Sequence, residues 1–93
     1  MFSAMASTLR LRSEGLEWRD IEGEVVALDL RTSAYLTVNE SGAKLWSALA
    51  SGASRDQLID LLVRTFKSPR EQATTDVDAF IEMLTRQDML VEE

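Results

Sequence analysis

The side chains of this sequence with any capacity for chemistry are its carboxylates. Sixteen Asp and Glu stand against ten Lys and Arg, with no histidine and no cysteine. The usual general base, the thiolate nucleophile, the disulfide and the commonest metal ligands are therefore missing together. What remains is carboxylate pairs. Asp56 and Asp60 have the spacing that sets them side by side on a helix, whereas Asp76 and Asp78 point in different directions. Neither pair has a third group to orient it, and both read as solvated surface. The expectation is a protein with no catalytic residue, no metal site and no cofactor.

The composition bounds the rest. Ninety-three residues, 45% of them apolar and 28% charged, suit one small soluble domain. A net charge of −6 opposes binding to phosphate backbones. No apolar run approaches the roughly 20 residues a membrane span needs. The start, MFSAMASTLRLR, lacks the charge order and apolar region of a signal peptide. A cytoplasmic protein without membrane or nucleic-acid contacts is expected, with residues 1–15 a flexible terminus or marginal extra strand (Leu9, Leu11) and 16–93 one domain.

The elements divide into a strand half and a helix half. Leu16 to Ile21 partly alternates, Glu22-Gly23 suits a tight turn, and Glu24 to Leu30 is rich in apolar and β-branched residues. Period two groups Val26, Leu28 and Leu30 on one face and Val25, Ala27 and Asp29 on the other. The even set is the more apolar and is expected inside. Arg31-Thr32-Ser33 connects to a third strand, Ala34 to Val38.

After Asn39, a favoured N-cap, the period becomes helical. Ala43, Trp46, Leu49 and Ala50 share a face with Leu45 beside it, and Gly52 is a natural stop. Ser54 and Gln57 form a capping box ahead of Leu58, Leu61, Leu62, Thr65 and Phe66. Ser68-Pro69-Arg70-Glu71 reads as a second box, opening a helix whose face is Ala73, Val77, Phe80, Ile81 and Leu84 and which runs to about Gln87. Met89, Leu90 and Val91 form an apolar tail that returns to the core. Three antiparallel strands followed by three helices must stack as two layers, an α+β domain of winged-helix type.

Trp18, Trp46, Phe66 and Phe80 read as core anchors. Tyr35 alternates out of register with Leu36 and Val38 and belongs on the outer face or edge. The strand Ala34 to Val38 also ends the meander, so one of its sides is unpaired, and it carries none of the lysines or prolines that usually blunt an edge. Such an edge is a place for another strand to dock.

The run from Gly23 to Trp46, GEVVALDLRTSAYLTVNESGAKLW, with Gly52 and the later DVDAFIEML, resembles the pyrroloquinoline quinone biosynthesis protein D (PqqD) family. The positions that carry the likeness are Val26-Ala27-Leu28-Asp29, Tyr35, Val38-Asn39, Ser41-Gly42-Ala43, Leu45-Trp46, Asp76-Val77, Phe80-Ile81, Leu84 and Met89-Leu90. The resemblance covers roughly residues 16 to 91. Met89 stands where the family commonly has glycine, which leaves the loop after the third helix open.

The resemblance implies a non-catalytic recognition element for ribosomally made, modified peptides. It is most like the freestanding proteins of lasso peptide gene clusters. Members bind the leader of a precursor peptide as an added strand on the third strand, beside the third helix, and present it to a separate enzyme. The implied partners are the precursor leader, a cysteine protease acting as leader peptidase, and a cyclase, around a monomer or weak homodimer. The site expected here is Ala34, Tyr35, Leu36, Thr37 and Val38 on the strand with Asp76, Val77, Phe80, Ile81 and Leu84 on the helix. Asp76, Asp78 and Glu82 would draw a basic leader residue, an attraction weakened by salt. The alternative is a winged-helix regulator binding DNA or a protein. Against DNA, Arg55, Arg64, Lys67, Arg70 and Arg86 are interleaved with acids on both later helices, so neither offers a basic face.

Overall fold

The computed structural model describes residues 8–92, and the expectation of a flexible start at residues 1–7 lies outside them. The elements run β1 (Leu9–Leu11), β2 (Leu16–Ile21), β3 (Glu24–Asp29), β4 (Ala34–Val38), α1 (Glu40–Ser51), α2 (Arg55–Phe66), α3 (Arg70–Arg86) and β5 (Leu90–Glu92). Strands β2, β3 and β4 form the antiparallel meander, in that spatial order. The domain is α+β, a three-stranded sheet followed by three helices. Glu22 and Gly23 both take positive φ, 54° and 86°, the backbone that a two-residue hairpin loop needs to follow the strand twist. Asp20 Oδ1 accepts from the Gly23 amide at 3.1 Å and closes that loop.

The sheet's inner face overturns one expectation. Val25, Ala27 and Asp29 are buried, whereas Leu28 and Leu30 are 38% and 53% exposed. The odd set faces the helices because Asp29 does not enter the core as a bare charge. Arg12 Nη2 lies 2.8 Å from its Oδ1, and the Arg31 amide donates to the same oxygen at 2.9 Å. A carboxylate so partnered can be buried, and a strand's alternation then turns its apolar neighbours outward. The outer face consequently shows Ile21, Leu28 and Tyr35 to solvent.

The helices cover the inner face. Trp46 and Leu49 of α1, Leu58 and Leu62 of α2, and Ala73, Val77 and Leu84 of α3 are shut away from water. Ile59, which the helical face omitted, is buried, while Ala50 and Thr65 point outward. Trp18 sits on the inner face with its ring edge-on to Trp46, centroids 6.0 Å apart. It is nevertheless 39% exposed, because β2 is an edge strand and the ring overhangs the core instead of entering it. Phe66 and Phe80 are half-buried against the core.

The caps divide two to one. Asn39 Oδ1 accepts from the Gly42 amide, and Ser54 and Gln57 exchange both bonds of a capping box. At α3 the expected box does not form: Pro69 is the cap residue and no side chain bonds the first turn. Proline has fixed the entering backbone by itself, at φ −59°. The tail after α3 folds back as expected with Met89 fully buried, but Val91 is exposed. There β5 pairs antiparallel with β1, Leu9 opposite Glu92 and Leu11 opposite Leu90. Among the described residues no helix is long and apolar enough to cross a membrane.

Candidate functional site

Strand β4 pairs with β3 along one side, from Val25 opposite Val38 to Asp29 opposite Ala34, and among the described residues has no strand on its other side. Its side chains alternate as a half-covered strand must. Tyr35, 69% exposed, and Thr37 face outward. Ala34 and Leu36 are half-buried, and Val38 is buried at the junction with α1. Asn39 holds that junction: its side-chain oxygen accepts from the Gly42 amide at 3.0 Å and the Ser41 hydroxyl at 3.1 Å. One residue thus ends the strand and starts the helix, and the free edge is set rigidly against the helical layer.

Beside the end of β4 the surface opens into a cleft of about 470 Å³. Val38, Gly42 and Leu45 line one wall, Ala79, Phe80 and Met83 the other, with Leu62 between; Asn39, Ser41 and Asp76 supply the polar groups. The walls meet closely because residue 42 has no side chain. A Cβ there would stand 3.1 Å from Val38 Cβ and 3.3 Å from the Phe80 ring. Glycine lets the Phe80 ring rest on the first turn of α1 and form a floor beside β4.

The expected site residues divide accordingly. Ala34 to Val38 form the edge, and Val38, Asp76 and Phe80 come together in the cleft. Val77 and Leu84 are fully buried and serve the core, with Ile81 half-buried against it. The stripe of α3 that faces the cleft is Asp76, Ala79, Phe80 and Met83, at i, i+3, i+4 and i+7. Phe80 belongs to both stripes. Ala79, Met83 and Gly42 were not legible as site residues, although the spacing of the first two around Phe80 carries the signal.

The acids of α3 differ in what they hold. Arg55 donates to Asp78 at 2.6 and 2.9 Å, and that hydrogen bond, outweighing burial, keeps the Asp78 carboxyl below its ordinary value. Glu82 pairs with Arg86 at 3.3 Å. Asp76 accepts from the Gln72 amide at 2.9 Å and has no cation within ion-pair distance among the described residues. Arg70 is spent on Asp60 at 2.8 Å. With Arg55, Arg70 and Arg86 paired to acids, α2 and α3 present no basic face for a nucleic-acid groove.

The family model described as Coenzyme PQQ synthesis protein D (PqqD) matches residues 24–90, from the first residue of β3 to the start of β5. The chain belongs to the PqqD family. Among solved structures, this PqqD-family domain is similar to TbiB1 in complex with the TbiA(beta) leader peptide, with a TM-score of 0.80 and 25% identity. That likeness covers 87% of this chain and 93% of that one. It also shares its fold with a lasso peptide synthetase B1 complexed with the leader peptide, with a TM-score of 0.77 and 24% identity, covering 89% and 96% of the two chains. No curated protein matches. After α3 this chain turns through Asp88 at φ 59° and inserts Met89 into the core.

Proposed function

We propose that the protein is a non-catalytic recognition element. It binds the leader of a ribosomally synthesised precursor peptide, of the lasso class, and hands it to a separate leader peptidase of the cysteine protease type and to a cyclase. The observation that carries this reading is the unpaired β4 edge lying beside an apolar cleft, in a PqqD-family domain whose solved likeness TbiB1 was captured with a leader peptide.

The mechanism follows from strand geometry. The leader adds as a fourth strand, antiparallel to β4, and its main chain bonds the amides and carbonyls that β4 leaves unpaired. Each such bond is worth only about 0.5–1.5 kcal/mol net, so backbone pairing alone holds any extended peptide weakly. Selection comes from the alternate side chains that turn inward, toward Leu36, Val38 and the floor made by Phe80. Tyr35 and Thr37 contact those that turn outward. No bond is made or broken by this protein. Its contribution is to hold the leader extended so that the partner enzyme meets the segment beyond it. The reading places the protein in the cytoplasm, as a monomer or weak homodimer.

The test is calorimetric titration with synthetic leader peptides of lasso precursors. Single N-methyl groups are then placed at successive leader amides. Alternating loss of affinity along the peptide is the expected outcome, since only every second amide faces β4. Uniform tolerance of N-methylation, or undiminished binding to Phe80→Ala, rules the strand-addition reading out.

A further inference from the structure

We infer that Asp76 is a specificity determinant: it selects leaders carrying a lysine or arginine on the same strand face as the apolar side chain that fills the cleft. This rests on the docking of a leader at β4.

Three observations converge on this one carboxylate. Among the described residues Asp76 is the sole charged one lining the cleft. Its charge is uncompensated among the described residues, its one partner being the neutral Gln72 amide at Oδ1. The other acids of that stretch of α3 are engaged, Asp78 by Arg55 and Glu82 by Arg86. The cations that α2 and the start of α3 could turn toward the cleft are taken in the same way, Arg55 by Asp78 and Arg70 by Asp60. The cleft is thus an apolar floor with one open negative charge at its rim. That is the complement of a short amphipathic pattern, one apolar side chain and one cation.

The spacing narrows the pattern further. Asp76 and Phe80 lie one helical turn apart, with about 5–6 Å between their Cβ atoms. Same-face residues of an extended strand are two positions apart, roughly 6.6 Å. A leader residue two positions from the apolar anchor therefore meets Asp76 when the anchor meets Phe80, and the long arm of lysine or arginine covers the remaining offset. Docking would also cover part of the carboxylate, which gives a neutral or acidic leader residue there a desolvation cost that a basic one avoids.

A phage-displayed library of randomised dodecapeptides tests this against the intact protein and four variants. Peptides selected on the wild type should share an apolar residue with lysine or arginine two positions away, and bind Asp76→Asn about 2- to 5-fold more weakly at low salt. Selection on Asp76→Lys should keep the apolar anchor and replace the basic residue by an acidic one. Asp56→Lys, an equal charge change outside the cleft, should leave the pattern alone. The same charge pattern from wild type and Asp76→Lys, or an equal shift with Asp56→Lys, overturns the assignment while docking at β4 stands. Selected peptides that bind Phe80→Ala as tightly as the wild type overturn the docking reading and this assignment with it.

Discussion

Arg12 and Asp29 are joined in the interior, Nη2 to Oδ1 at 2.8 Å, with side-chain exposures of 14% and 0%. The pair ties the segment after β1 to the last residue of β3, directly before the turn that leads into β4. Arg12 also donates to the main chain on both sides, at Glu14 and Asp88, so it braces three segments at once.

The pair sets the acid limb of stability. Burial pushes the Asp29 carboxyl up, but the Arg12 hydrogen bond, the Arg31 amide and the two guanidinium charges together hold it below its ordinary value. A carboxyl depressed in the folded state contributes fully above its unfolded value, about 3.9, and loses that contribution as pH falls through the folded value. Asp78, depressed by Arg55, acts in the same direction. Thermal melts of Asp29→Asn from pH 7 to pH 2.5 should show a lower melting temperature at neutrality. They should also show a flatter decline below about pH 4 than the wild type.

Gly42→Ala should damage the cleft more than the helix. The added Cβ meets Val38 and the Phe80 ring at 3.1 and 3.3 Å, so the ring must leave its floor. Overpacking of this kind costs about 1–3 kcal/mol, partly offset by alanine's better helix propensity. Denaturant unfolding should show a stability loss toward the low end of that range. Leader affinity should fall by a larger factor than the loss of folded population accounts for.

Ser54→Ala separates stability from recognition. The capping box at α2 lies outside the cleft, and its loss should cost about 1 kcal/mol by urea unfolding. Leader affinity of the folded protein should be unchanged.

Met89→Ala should be the most destabilising of these changes. The side chain is wholly buried, and its truncation leaves a cavity worth about 2–5 kcal/mol. Urea unfolding measures it. Met89→Leu, similar in volume, should cost under about 1.5 kcal/mol.

What the sequence made legible is what short-range chemistry decides. Asn39, the Ser54–Gln57 box and the Glu22-Gly23 turn each act on amides a few residues away, and each is where the sequence puts it. The inner face of β3 differs from the local expectation because the burial of Asp29 depends on Arg12, remote in sequence and outside any local window. On α3 the residues expected from the sequence and those lining the cleft differ by one step around the helix. Phe80 sits on the boundary of two faces, and the more apolar one, with Val77 and Leu84, belongs to the core. The β1–β5 pair was invisible as a pairing because three-residue strands carry almost no periodic signal, and their partners lie at opposite ends of the domain.

That pair also governs how the domain connects to anything else. Leu9 and Glu92 face each other across a ladder, within about 5 Å, at the end of α1 where Ala53 joins β1. The cleft lies at the other end of α1, about 18 Å away along a helix of 12 residues. Incoming and outgoing backbone therefore sit side by side and away from the cleft, the geometry of a cassette. Spliced into a surface loop of an unrelated protein, such a unit would keep its cleft clear and its two leads adjacent.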